Sequence, residues 1–158
     1  MPLTFTPSLP VEAPILSEIA IRSKGHWGYS AEQLGSWREG LRIEPAYIEK
    51  NLVRSIRLEK QTIGFFAIVK GCPDLLDHLW ILPSHIGNGY GSRAIATIKD
   101  LCIQNKITDL LLLSDPHAET FYLRHGATRV GEVYSAAQDK MLPQLSLPTL
   151  APKQNKRP

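Results

Sequence analysis

Three glycines alternate in Ile86-Gly87-Asn88-Gly89-Tyr90-Gly91, after a β-like run that stops at Pro83 and ahead of a helical run. A strand-to-helix turn of this kind lets backbone approach a ligand closely. The unpaired amides of the first helical turn then face outward with the positive end of the helix dipole, which makes an anion site. The bland alternative is a plain connecting turn. Arg93, just inside the helix, is either a phosphate contact or an ordinary exposed arginine. A P-loop needs Gly-Lys-Ser or Gly-Lys-Thr, and Gly91-Ser92-Arg93 does not supply it. A dinucleotide fingerprint needs a third glycine where Ser92 stands and a place on the first βαβ unit. It is the weaker reading, although Asp115 stands at a plausible acidic position.

A second group of chemistry-bearing residues, His26, Trp27 and Tyr29, sits on the bend bracketed by Gly25 and Gly28. Three ring side chains there suit either an acceptor pocket or a hydrophobic staple between helices with Trp27 buried. Trp37 reads as helix packing and Trp80 as a core or cleft-wall residue. The two cysteines, Cys72 and Cys102, lack ligand spacing, and His85, His117 and His125 show no carboxylate or imidazole partner at such spacing. No metal is expected.

The elements that must position these residues follow from local pattern. A short strand near Leu3–Thr6 precedes a helix over Ile15–Ser23, with Pro14 at its start and Ile15, Leu16, Ile19 and Ala20 on one face. Ser30 and Gln33 form a capping box for a helix through about Arg38, and another helix covers Pro45–Asn51. Val53–Glu59 and Ile63–Val69 read as a hairpin, followed by a strand over Leu75–Leu82. After the glycine turn, Ile95, Ile98, Leu101 and Cys102 mark an amphipathic helix. Asp109–Ser114 reads as a buried strand, Pro116–His125 as a helix stopped by Gly126, and Thr128–Tyr134 and Gln144–Leu147 as closing strands. The order predicts a mixed α/β fold.

At 158 residues, 43% hydrophobic, the chain suits one domain over residues 1–150 with a basic, disordered tail at 151–158. Eighteen Lys and Arg face fifteen Asp and Glu. Lys153, Lys156 and Arg157 lie in the tail, which holds no acid, so residues 1–150 balance to zero. A neutral body gives no global reason to expect nucleic acid. No segment approaches the length of a membrane span, and MPLTFTPSLPVEAP lacks the features of a signal peptide, so no membrane partner and a cytoplasmic location are expected.

Residues 78–132 resemble the core of the GNAT superfamily of acyl-CoA-dependent N-acetyltransferases. Ile81-Leu82-Pro83 is similar to the family's V-x-P strand end. Ile86–Gly91 resembles its [QR]-x-x-G-x-[GA] loop, and Asp115-x-x-Ala118-x-x-Phe121-Tyr122-x-x-x-Gly126 resembles its N-x-x-A-x-x-F-Y-x-x-x-G segment. Ile86 replaces the usual Gln or Arg, and Asp115 the usual Asn, which could donate a hydrogen bond where Asp cannot. Ser114-Asp115-Pro116-His117-Ala118-Glu119 is similar to the S/A-D-P-N-A-E run of one subset. That subset also resembles this chain in Lys24-x-His26-Trp27-Gly28-Tyr29, Gly131-Glu132-Val133 and Met141-Leu142-Pro143.

The resemblance implies a mostly antiparallel central sheet flanked by helices, and direct transfer of an acetyl group from acetyl-CoA to an amine of a small molecule or protein. The implied cosubstrate contacts are Leu79, Trp80 and Ile81, the loop residues Ile86, Gly87, Asn88, Gly89, Tyr90, Gly91 and Ser92, and Asp115, Ala118, Phe121 and Tyr122. Tyr122 stands where the family places its general acid. Asp77 and His78 stand where it often carries a base, and His26 is a further candidate. Strand alternation puts Asp77 and His78 on opposite faces, with Asp77 in the parity of Leu79 and Ile81. His78 has the better intrinsic pKa, near 6.5. Family members also often pair through their C-terminal strands, which leaves a homodimer and a monomer both open. The competing expectation is a CoA-binding regulatory or interaction module that catalyses nothing.

Overall fold

The computed structural model describes residues 2–136 and 138–150, so the tail expected at 151–158 lies outside the described residues. The elements run β1 (Leu3–Pro7), α1 (Ala13–Gly25), α2 (Ala31–Trp37), α3 (Pro45–Lys50), β2 (Leu52–Leu58), β3 (Gln61–Val69), β4 (Leu75–Ile81), α4 (Tyr90–Gln104), β5 (Asp109–Leu113), α5 (Glu119–Arg124), β6 (Thr128–Ser135) and β7 (Lys140–Pro148). One seven-stranded sheet has the order β1-β2-β3-β4-β5-β7-β6. It is antiparallel except where β4 meets β5. The expected mixed α/β fold with a mostly antiparallel sheet is therefore observed.

Helices cover both faces because the strands are apolar on both. On β3, Phe65 and Ala67 point to one face, where they pack with Leu16, Ile19 and Ala20 of α1 and Ile48 of α3. Phe66 and Ile68 point to the other, against Ile95, Ile98 and Cys102 of α4 and Tyr122 of α5. The expected capping box holds α2 in place: the Ser30 hydroxyl accepts from the Gln33 amide at 3.1 Å, and the Gln33 side-chain oxygen accepts from the Ser30 amide at 3.1 Å.

Two irregularities shape the centre of the sheet. β4 and β5 pair at Leu75 and Leu111, with the Leu111 amide also donating to the Asp74 carbonyl, and beyond that point the strands splay apart. Opposite, the β3–β4 register shifts, because Ala67 pairs with His78 while Ile68 pairs with Leu76. Asp77 is the extra residue of a β-bulge, which breaks the side-chain alternation of the strand.

Candidate active site

Where β4 and β5 separate, a cleft of about 460 Å³ opens between β4, the glycine turn, the first turn of α4, the end of β5 and α5. Strand geometry makes one wall of it a row of backbone groups. The Leu82 amide donates to the Ile63 carbonyl at 2.7 Å, so residue 82 and its even-numbered neighbour Trp80 face β3. Leu79 and Ile81 therefore turn their amides and carbonyls toward the cleft. The Ser23 hydroxyl of α1 takes up the Ile81 carbonyl at 3.2 Å.

The glycine turn forms the mouth. Gly87 and Gly89 have φ of 91° and 78°, conformations that disfavour any side chain. Gly89 occupies the N-cap position of α4, and no side chain caps this helix. The amides of Tyr90, Gly91 and Ser92 consequently begin a fifteen-residue helix with no intrahelical acceptor, the strand-to-helix geometry that the spacing predicts. A Cβ on Gly91 would lie 3.1 Å from two ring carbons of Phe121, so this glycine lets α5 close against α4. Ile86 is half-exposed at the rim, and Asn88 uses its amide to donate to the His85 carbonyl at 3.2 Å. Arg93 does not line the cleft; its guanidinium lies 3.5 Å from the Leu3 carbonyl. Arg124, which the sequence reading passed over, does line it. Its spacing of three from Phe121 on one helix was the available signal.

Tyr122 comes to the cleft on α5, beside Ala118 and Phe121. Its ring is buried in the core with Phe66 and Leu112, and burial raises the pKa of its hydroxyl. The hydrogen bonds among the described residues include none to that hydroxyl, yet it is not sealed from the cleft. It is thus a protonated, unpartnered donor.

Asp77 and His78 differ from expectation. The bulge turns both side chains to the α1 and α3 face, leaving Leu76 and Leu79 on the α4 face. Asp77 Oδ2 accepts from the Tyr47 hydroxyl of α3 and lies 3.8 Å from His78 Nε2. The Tyr47 and His78 rings meet edge to face at 6.0 Å. The opposite-face reading and the shared parity of Asp77 with Leu79 and Ile81 are therefore corrected, since both assumed unbroken alternation. The Trp80 indole N–H donates to His78 Nδ1 at 3.0 Å, so Nδ1 is an acceptor and the ring proton lies on Nε2. Burial lowers the His78 pKa against the opposing pull of Asp77. The ring is neutral and its one lone pair is already engaged.

The bend with His26, Trp27 and Tyr29 is split among different surroundings. Trp27 is half-buried, stacks on His117 at 5.2 Å with rings 5° from parallel, and lines the cleft. The staple with a buried Trp27 is not what forms. His26 is exposed, edge-on to Trp27 at 4.8 Å, and does not line the cleft. Tyr29 donates to Asp115 Oδ2 at 2.9 Å.

Asp115 is enclosed rather than free. Its carboxylate pairs with the buried Lys24 ammonium and accepts from the His117 amide at 2.9 Å. It also contacts His117 Nδ1 at 2.7 Å, so His117 has the carboxylate partner that its sequence spacing did not suggest. Burial alone would raise the Asp115 pKa, but Lys24 and the His117 contacts hold it down at about 2. Lys24 also donates to Gln138 at 2.9 Å and lies over the Tyr29 and Trp37 rings, and Lys140 donates to Tyr29 at 2.7 Å. Trp37 is thus a wall of this polar cluster as well as a packing residue. Among the described residues no His, Cys, Asp and Glu group has the arrangement of a metal site, and no helix is long and apolar enough to cross a membrane.

A family model described as an acetyltransferase (GNAT) domain matches residues 31–143. No curated protein sequence matches. Among solved structures, a GCN5-related N-acetyltransferase from Rhodopseudomonas palustris superposes with a TM-score of 0.75 at 20% identity, covering 93% of this chain and 94% of that one. The PaiA N-acetyltransferase from Thermoplasma acidophilum, in complex with coenzyme A, gives 0.74 at 16% identity, over 94% and 99% of the two chains. A GNAT family acetyltransferase from Elizabethkingia anophelis with acetyl-CoA bound gives 0.65 at 9% identity, over 92% and 97%. At these identities the likeness to the solved structures is one of fold.

Proposed function

The chain belongs to the GNAT acetyltransferase family, and from that premise we propose that it transfers an acetyl group from acetyl-CoA to an amine of a small molecule or protein. One observation carries the reading. The opened strand edge of β4 leads directly to the bare N-terminus of α4, with an unpartnered tyrosine hydroxyl beside it. That sequence of donors matches the parts of an acyl-CoA: a pyrophosphate, an amide-bearing arm and a thioester. The amides of residues 87–92 would hold the pyrophosphate. The Leu79 and Ile81 backbone would take the arm and the thioester carbonyl, whose oxygen gains charge as the amine attacks.

The acceptor and leaving groups need different partners. At an ordinary amine pKa near 10.4, only about one molecule in a few thousand is neutral at pH 7, roughly 4–5 kcal/mol to be recovered. Tyr122 on the α5 face donates to the departing sulfur, and Asp77 on the α1 and α3 face receives the amine and its proton as the C–N bond forms. The donation of the Trp80 indole into the one lone pair of His78 argues against His78 as the base, and the position of His26 outside the cleft argues against His26. The two segments behind the subset resemblance, Lys24–Tyr29 and Ser114–Glu119, meet through the Lys24 and Tyr29 contacts to Asp115, which supports reading them as one unit.

The test is release of free thiol from acetyl-CoA with a panel of amines, beside the thermal shift produced by CoA. The competing reading, a CoA-binding module without chemistry, is favoured by the commitment of Asp115 to Lys24; it predicts the shift without the thiol. Tyr122→Phe should lower kcat by about 100-fold or more while leaving the CoA Kd within a few-fold. Unchanged turnover would remove Tyr122 as the acid.

A further inference from the structure

Two carboxylates line the cleft, Asp77 and Asp115, and they are in opposite electrostatic states. Asp115 is neutralised by Lys24 and surrounded by donors. Asp77 has no lysine or arginine partner among the described residues, and its side chain is 42% exposed. Its Oδ2 is held by the Tyr47 hydroxyl, while no protein donor among the described residues reaches its Oδ1. The two groups against it, Tyr47 and His78, are rings without charge, and Trp27 shares the cleft lining. His78 is fixed as a neutral donor by the Trp80 indole, Tyr47 lies edge-on to His78, and Trp27 stands at the cleft wall.

From this we propose that Asp77, oriented by Tyr47 and walled by His78, Trp80 and Trp27, is the subsite for the acceptor's ammonium, and that the acceptor is a monoamine with an apolar or aromatic body. The inference rests on the acetyltransferase reading above and names the substrate class for it. A single free carboxylate balances one ammonium, and the ring faces offer the cation and its hydrocarbon body favourable contact. A second ammonium, as in a polyamine, finds no second unpaired carboxylate among the cleft-lining residues, since Asp115 is neutralised by Lys24, and must be desolvated without a partner or left in water. Tyr47 acts here as a positioning residue: it touches Asp77, and its removal frees the carboxylate to rotate.

The experiment measures amine binding and amine turnover separately. Binding of 2-phenylethylamine, hexylamine and spermidine to the CoA-loaded protein is followed by the fluorescence of Trp27 and Trp80, and thiol release from acetyl-CoA is measured with the same three amines and with a peptide bearing a free N-terminus. We expect the two monoamines to exceed spermidine and the peptide by at least about tenfold in Kd and in kcat/KM. Asp77→Asn should weaken monoamine binding by about 10–100-fold, the worth of a charged hydrogen bond. Tyr47→Phe should weaken it by a smaller factor, raising KM more than it lowers kcat, and both variants should keep the CoA thermal shift as the sign that they are folded. Preference for spermidine or the peptide, no monoamine binding, or unaltered binding in Asp77→Asn would each overturn the subsite. Monoamine binding that depends on Asp77 without any thiol release would uphold the subsite and overturn the acetyltransferase reading instead.

Discussion

At the scale of single residues, the most informative departure is Asp115. It stands where the family resemblance places a neutral amide, and the structure gives its carboxylate a buried lysine, with side-chain exposures of 7% for Asp115 and 2% for Lys24. Such a pair adds little compared with a well-packed apolar pair, but breaking it from one side is costly. Lys24→Met should therefore cost roughly 3–5 kcal/mol of stability at pH 7, near the lower end because Tyr29 and His117 still donate to the carboxylate. The sign of the pH effect follows from the depressed Asp115 pKa, about 2 against an ordinary 3.8. The stabilisation is complete above 3.8 and is lost as pH falls through about 2, while the variant sheds its uncompensated charge at higher pH than that. Denaturation curves for the two proteins should differ most near neutrality and converge by about pH 2; a gap independent of pH would assign the loss to packing. None of this was legible in the sequence. Lys24 and Asp115 are separated by 91 positions, and neither the lysine's burial nor its partner leaves a local pattern.

At the scale of elements, local pattern carried much further. The Ser30–Gln33 box, the proline at the start of α3, the hairpin of β2 and β3 and the glycine-led start of α4 each rest on neighbouring residues, and each appears near its expected place. The bulge at Asp77 does not rest on neighbouring residues, because it is a property of register against β3, and so the facing of Asp77 and His78 was misread. The same strand pair contains a second constraint. A Cβ on Gly64 of β3 would lie 2.2 Å from the Trp80 carbonyl oxygen, a backbone atom that cannot swing aside. Gly64→Ala should therefore push β3 and β4 apart at Trp80 and Ile81, costing roughly 2–4 kcal/mol. Chemical denaturation would read the loss of stability. At a temperature where the variant is still folded, its CoA Kd should rise as well, since the displaced residues, Trp80 and Ile81, belong to the strand edge proposed to take the arm. A variant as stable as the parent would mean that the strands can separate here without strain.

At the scale of the whole molecule, the sheet is divided at its centre and the division is where the proposed chemistry sits. The neutral charge of residues 1–150 fits the proposed design, in which an anionic cosubstrate would meet one turn of backbone amides, with Arg124 nearby, and no broad cationic face is required. Strands β1–β4 and β5–β7 are joined by the Leu75 and Leu111 pair and by the α4 and α5 core packed across both, while the strand edges beyond that pair face the cleft. A ligand that hydrogen-bonds along β4 while its pyrophosphate caps α4 bridges the two halves, so binding should be visible as stability. At a CoA concentration 100 times Kd the gain is about 2.7 kcal/mol, or roughly 5–10 °C in Tm for a chain of this size. The location of that gain is the sharper prediction. In the free protein the Leu79 and Ile81 amides lie on the open side of β4, whereas the Leu82 amide is bonded to Ile63. Hydrogen exchange should find Leu79 and Ile81 fast and Leu82 slow without ligand, and CoA should slow the first two together with the amides of Tyr90, Gly91 and Ser92. Protection that spreads evenly over the chain would indicate global stabilisation by a ligand bound elsewhere. Protection of the α4 amides without Leu79 and Ile81 would place the pyrophosphate at the turn but take the arm, and with it the thioester, away from the strand that Asp77 and Tyr122 flank.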